Sequence, residues 1–303
     1  MQFELLGAQH YPRLKAFFVG QRLELSTYSL PSLVVWSQCV FDTMFAVVED
    51  AVLFAERRMD DPERRHLLLP VSASGFKDPD WLRQRAIEAG YKEYHFVPRS
   101  YLDFFGQSAV EEYFTVQPHA GYDDYVYRAA DLGGLAGRDY AKKRNLVRQF
   151  ERGYGGVGRV AVSSITPANA EECISCLQGW RSERPGKDWT EVLECERQAI
   201  TKALHGLVEL EFQGVMVSVD GMVRGFAIGS RLRADTWVLN FEKASDEVKG
   251  LYQYLDRESA RRLFPGVAFL NKESDLGDPG LAQAKQSYHP QSRAYSHRLA
   301  LRP

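Results

Sequence analysis

Val215–Val219 and Val223–Gly229 are two β-prone runs separated by Asp220-Gly221 and a single further residue, Met222. A two-residue Asp-Gly loop demands positive φ at both positions and closes a tight antiparallel hairpin, so this pair fixes the local fold more firmly than any other signal in the chain. Beyond the hairpin the chain has a different rhythm. Thr236–Phe241 reads as a strand, Gly250–Phe264 as an amphipathic helix, Val267–Leu270 as a strand, Gly280–Tyr288 as a helix and Ser296–Leu301 as a closing strand. Before the hairpin come a strand, Arg159–Ile165, and two helices, Ala168–Trp180 and Trp189–His205, the first opened by Thr166-Pro167. A hairpin feeding strand–helix–strand builds a mixed sheet flanked by helices, an α/β (α+β) arrangement.

The first 120 residues carry a shorter set of signals. Tyr11–Gln21 reads as a helix, and Thr43–Phe54 as a hairpin with an acidic turn at Glu49-Asp50. Leu30–Trp36 and Leu67–Val71 are short continuous apolar runs that read as buried strands. Pro79–Ala89 is a helix stopped by Gly90, and Tyr94–Val97 is the next strand. Gln117–Tyr125 is loop-like and acidic, which places the boundary of two domains, 1–120 and 121–303, near Gly121. The succession in 159–301 is that of the N-acetyltransferase-like (GNAT) fold, and the first half is compatible with a second copy of the plan. The expectation is two tandem GNAT-like domains.

Charge and cysteine content narrow the function classes. The 303 residues have a net charge of −2, so the molecule as a whole is no polycation. Residues 1–120 are net acidic and 121–303 net basic, and Arg138–Arg152 alone holds six basic and two acidic side chains. Four cysteines in such a length imply no disulfide framework. Cys173-Ile-Ser-Cys176 lies inside an expected helix and lacks a second ligand pair, so it reads as two small packed residues and no metal is expected. The N-terminus has no secretory pattern and no stretch nears the ~20 apolar residues that span a bilayer. The expected location is cytoplasmic, with peripheral membrane contact left open.

Three segments hold candidate chemistry. On the helix around Arg138–Arg152, Arg144 and Arg148 line one face with Asn145 beside them, either as a solvated basic face or as a grip on an anion. Lys143 instead falls within the apolar stripe of Tyr140, Val147 and Phe150, so it must snorkel, pair with an acid or reach into a cavity. At the end of the strand from Thr236, alternation puts Trp237, Leu239 and Phe241 on one face and Val238, Asn240 and Glu242 on the other, with Lys243 next. Asn271, Lys272 and Glu273 follow the strand Val267–Leu270. If those strands are neighbours, their carboxyl ends bring Asn240, Glu242 and Lys243 near Asn271, Lys272 and Glu273, where α/β sheets form sites. A carboxylate beside a lysine suits deprotonation of an acceptor with stabilisation of the resulting charge, and equally suits a salt bridge between strand ends.

These motifs resemble the family of uncharacterised bacterial proteins related to the C-terminal domain of phosphatidylglycerol lysyltransferase. The resemblance rests on Asp124-Tyr-Val-Tyr127, Tyr140 with Lys143-Arg144-Asn145, Asn240-Phe241-Glu242-Lys243, Leu270-Asn-Lys-Glu273 with Asp275, and Lys285 with Tyr288. It implies transfer of an amino acid from aminoacyl-tRNA to a lipid or other acceptor, as in the Fem-type aminoacyltransferases. On that reading Glu242, Lys243 and Lys272 are catalytic, and Lys143, Arg144, Asn145, Arg148, Asn240, Asn271, Glu273, Lys285 and Tyr288 bind substrate. No resident cofactor is expected; tRNA is the candidate partner and the acceptor is unidentified. The segment Lys243–Tyr252 carries one glycine and two acids where an acyl-CoA pyrophosphate would sit, which disfavours acyl-CoA. The alternatives are an acyl-CoA-dependent N-acyltransferase, or a non-catalytic module binding tRNA or a phosphorylated ligand.

Overall fold

The computed structural model describes residues 1–156, 158–182, 191–263 and 265–303. Two mixed sheets dominate it. The first runs Glu4–Leu5, Phe41–Val48, Ala51–Arg58, Arg65–Leu68, Glu93–Pro98, Ser296–Leu301, Phe114–Pro118, with Val71–Ser72 beside Ala51–Arg58. The second runs Ser292–Ala294, Asp124–Arg128, Phe269–Asn271, Thr236–Ala244, Met222–Arg231, Gln213–Val219, Val160–Ser164. Each contains one parallel pair, Arg65–Leu68 with Glu93–Pro98 and Thr236–Ala244 with Phe269–Asn271, joined through a crossover helix. The shared plan is GNAT-like in both halves. The closing strand does not respect a division at Gly121: it inserts into the first sheet, between Glu93–Pro98 and Phe114–Pro118.

Strong local chemistry produced the expected elements. Asp220 and Gly221 both have positive φ (52° and 79°) in the hairpin, and Asp78 caps the helix Pro79–Ala89 while Gly90 ends it in the left-handed region. Other expectations fail for identifiable reasons. Leu30–Trp36 is a helix, not a strand; Ser29 precedes it, Pro31 sits in its first turn, and Leu30–Val35 are all buried. A helix packed on every side has no polar stripe to betray its period. The segment from Tyr11 makes one α turn, Tyr11–Leu14, then tightens into a 3₁₀ turn over Lys15–Phe18. The helix expected from Trp189 is described from Glu191, so Trp189 and Thr190 lie outside the described residues, as do Val157 and Phe264.

Helices Ala170–Ser182 and Glu191–His205 cover the face of the second sheet turned toward the first unit, meaning the first sheet with the helices of residues 1–120, and one apolar core runs from Phe45 and Phe54 through Ile200 to Phe226 and Phe241. Helices Ala141–Tyr154 and Leu251–Arg262 cover the opposite face over Val217, Leu239 and Leu270. Cys39 and Cys195 form a disulfide between these two parts of the chain, where the cysteine count implied no disulfide framework. They are 156 residues apart and are brought together only because Leu30–Trp36 packs on Glu191–His205. Cys173 and Cys176 remain thiols within a helix, and among the described residues no group of side chains is arranged to hold a metal ion.

Candidate functional site

Thr236–Ala244 and Phe269–Asn271 pair in parallel through Val238 and Asn271 and then diverge. The strand ends beyond this pair are where chemistry-bearing side chains gather, for a reason set by backbone geometry. Opposite this region Ile228 faces Phe241 and Gly229 faces Leu239, so Asn240 is an extra, unpaired residue, a β-bulge. The bulge breaks the expected alternation. Phe241 does not share a face with Leu239; it joins Val238 in the core toward the first unit, while Leu239 and Ala244 face the other way. Beyond the bulge ordinary alternation resumes, and the adjacent Glu242 and Lys243 leave the strand on opposite sides.

On the side of helices Ala141–Tyr154 and Leu251–Arg262, Lys272 Nζ lies 3.2 Å from Glu242 Oε2 and also donates to Asp256 Oδ1. All three side chains are nearly excluded from solvent. Burial opposes the charge on Lys272, but Asp256 and Glu242 outweigh it and hold the ammonium protonated well above the usual lysine range. Burial, reinforced by Asp256, pushes Glu242 up to about 7 against the pull of Lys272. Its second oxygen, Oε1, is buried with no hydrogen-bond partner. Lys143 Nζ sits 3.8 Å from the centre of the Tyr288 ring, and Lys272 Nζ 5.2 Å from the same centre. Burial lowers Lys143 toward neutrality, while burial and the negative charge of Asp256 and Glu242 raise the Tyr288 phenol. Tyr140 donates to the Tyr288 carbonyl at 2.9 Å, fixing the segment that carries the ring.

On the other side, Lys243 is 2.8 Å from Glu196 and stacks over Trp180 at 4.4 Å. It is therefore separated from Glu242 by the strand itself. Glu273 adopts φ of +59°, its amide donates to Asn271 Oδ1, and burial raises its carboxyl to about 8 against the pull of Lys285. Lys285 donates to the carbonyls of Lys272, Glu273 and Ser274, bracing that turn, and burial lowers it to about 8. Asn271 donates to Asp124 at 2.8 Å and to the Glu24 carbonyl at 3.1 Å, tying the strand end to the first unit. Asn240 is held in the same manner: Ser29 and Ser230 hydroxyls are 2.6 Å apart, and Ser230 donates to Asn240 Oδ1 at 2.7 Å. That bond directs Asn240 Nδ2 away, and Nδ2 is buried without a well-formed hydrogen bond.

The structure thus brings Lys143, Glu242, Lys272 and Tyr288 together, with Asn240, Asn271, Glu273 and Lys285 at the same strand ends. Arg144 is not part of this group; it donates to the carbonyls of Leu135 and Gly137 and anchors the loop before its helix. Asn145 and Arg148 are exposed on that helix. Asp256 was missed, although it carried the signal that marked Lys143: a charge four residues after Tyr252 and one after Leu255, on the apolar side of a helix. Substituting Lys272 by Met would leave Glu242 and Asp256 buried without their shared cation. The expected loss is about 3–5 kcal/mol of unfolding free energy, read from urea titration near neutral pH. A loss below about 1 kcal/mol, the scale of an exposed pair, would show that the cluster is solvated.

Comparison with known proteins adds to this geometry. No curated protein matches the chain. A conserved protein of unknown function from Bacteroides thetaiotaomicron is 25% identical over 100% of both chains, with a TM-score of 0.86. The C-terminal domain (DUF2156) of a protein assigned as a lysylphosphatidylglycerol synthetase from Agrobacterium fabrum is 12% identical, covers 98% of this chain and 92% of its own, and has a TM-score of 0.63. FemX is 9% identical over 100% of this chain and 98% of its own, with a TM-score of 0.59. The last two share the fold. The phosphatidylglycerol lysyltransferase C-terminal family matches residues 95–296, more than half of the chain, so this chain belongs to that family and, with its fold, to the acyltransferases of the GNAT/Fem type.

Proposed function

We propose that the protein transfers an aminoacyl group from aminoacyl-tRNA to an acceptor amine or hydroxyl, at the carboxyl ends of Thr236–Ala244 and Phe269–Asn271. The observation that carries this reading is the buried Glu242, paired on one oxygen with Lys272 and orphaned on the other. A carboxyl held near neutrality with a vacant lone pair is suited to take a proton from the attacking group. The acceptor nitrogen or oxygen bonds to the acyl carbon as its proton passes to Glu242. The ester bond to the ribose oxygen breaks, and that oxygen takes up the proton. Lys272 is placed to stabilise the charge that develops on the carbonyl oxygen. Lys143 stands over the Tyr288 ring as a grip for an anionic portion of a substrate. Lys243, bonded to Glu196 on the far side of the strand, has no part in this step.

Two features favour this donor over acyl-CoA. The turn before helix Leu251–Arg262 already engages its own amides: Glu247 N donates to Ser245 Oγ, Val248 N to the Ser245 carbonyl and Leu251 N to the Val248 carbonyl. A pyrophosphate would need amides of this kind unpaired. Helix Ala141–Tyr154 also closes over the turn, so that a Cβ on Gly250 would fall 2.2 Å from the Leu146 carbonyl oxygen. The test is incubation of the purified protein with tRNA charged with radiolabelled amino acids, together with cell lipid and small-molecule extracts. Label is expected to move to an acceptor. Transfer from acyl-CoA and from no aminoacyl-tRNA would overturn the reading. No helix among the described residues is long and apolar enough to cross a membrane.

A further inference from the structure

Helices Ala141–Tyr154 and Leu251–Arg262 wall the site on one side and together carry eight basic and three acidic side chains, in a chain of net charge −2. The acidic charges are already committed within the fold. Asp256 is bound to Lys272, and Glu151 to Arg257 at 2.7 Å. Buried Glu258 receives Arg257 at 3.1 Å, Arg261 at 3.3 Å and Arg262 at 2.9 Å. One carboxylate thus orients three guanidinium groups without neutralising them. Arg261 also donates to the Gly133 carbonyl and Arg144 to the Leu135 carbonyl, two residues on, so the arginines of both helices share one surface with exposed Arg148.

We propose that this outer surface docks the phosphate backbone of an RNA whose 3′ end enters beside Lys143 and Tyr288. The inference rests on the aminoacyl-RNA donor proposed above and adds where that RNA lies. Three physical points support it. Pre-oriented guanidinium forks match phosphate oxygens better than mobile lysines do. Among the described residues, none of the large exposed apolar side chains lies on either helix, whereas a membrane-seated helix pair would present some. The same two helices contribute Lys143 and Asp256 to the site, so a strand crossing them has its end at the chemistry.

The test is fluorescence anisotropy with a labelled, uncharged RNA hairpin bearing a single-stranded 3′ end, titrated at several salt concentrations. The double variant Arg148→Gln/Arg262→Gln alters exposed side chains and keeps Arg257 and Arg261 on Glu258. It is expected to reduce the slope of log affinity against log salt by about two, roughly one for each phosphate no longer neutralised. The double variant Arg83→Gln/Arg99→Gln in the first unit should leave the slope unchanged. Wild-type protein that fails to bind the hairpin at low salt, or a slope the Arg148/Arg262 variant does not move, overturns the proposal. So does loss of binding to phosphatidylglycerol-containing vesicles, relative to phosphatidylcholine vesicles, with hairpin binding intact. Because the probe carries no acyl group, a protein that binds it but transfers nothing would refute the proposed activity and leave the docking surface standing.

Discussion

Glu242→Gln lowers aminoacyl transfer by about 10²–10⁴-fold, the usual worth of a general base, while the protein stays folded. The fold should survive because glutamine keeps the shape and can still accept from Lys272, and because the substitution removes a carboxylate that Asp256 repels. The pH profile is the more specific readout. With Glu242 pushed up to about 7, it is protonated and unable to act as a base at pH 5, and activity should rise through pH 7 as it ionises. The glutamine variant should lose that ascending limb. The same shift has a stability consequence of definite sign. The folded value lies above the ordinary 4.5, so the native state binds this proton more tightly than the unfolded chain does. Its contribution to stability is fully present below pH 4.5 and is lost as pH rises toward 7. A variant that retains transfer within tenfold of wild type would remove Glu242 from the mechanism.

Reducing the Cys39–Cys195 bond is the change expected to cost the most stability. The bond closes a segment of 156 residues, and the loop-closure entropy it withholds from the unfolded chain amounts to about 5 kcal/mol. Measured losses for such bonds run about 2–5 kcal/mol. Urea unfolding with and without reductant, and of Cys195→Ser, reads this directly, since Cys173 and Cys176 are thiols in both states. Four reactive thiols in the unreduced native protein, or a midpoint that ignores reductant, would contradict it. Lys202 donates to the Ser37 carbonyl at 2.8 Å near the same junction, so reduction should loosen helix Glu191–His205 from the first unit without releasing it altogether.

What could be read in the sequence divides along a physical line. Features decided by a few neighbouring residues were legible: the Asp220-Gly221 hairpin, the Asp78 and Gly90 ends of a helix, and the half-buried position of Lys143 from its place in an apolar stripe. Features decided by partners far along the chain were not. Nothing near Cys39 points to Cys195, and nothing near Ser296 says that its strand will lie between Glu93–Pro98 and Phe114–Pro118. The candidate site shows both cases. Parallel neighbours put Glu242 and Lys272 together as the strand pattern suggested, whereas Lys243, next to Glu242 on one strand, falls on the opposite face by alternation, and the bulge at Asn240 put Leu239 and Phe241 on different faces because a single extra residue reverses a period of two.

The place of Ser296–Leu301 in the first sheet bears on how the protein is made. Among the described residues Phe114–Pro118 has no neighbour in that sheet other than this strand, so the segment made early waits unpaired while some 180 residues are synthesised. The half that is born first is completed last. During that interval the edges of Glu93–Pro98 and Phe114–Pro118 offer open backbone to any extended segment that comes by, including the same segment of another nascent chain. Release of a finished sheet is thereby coupled to completion of the second half, and a chain stalled between the two would be a natural substrate for chaperones and proteases.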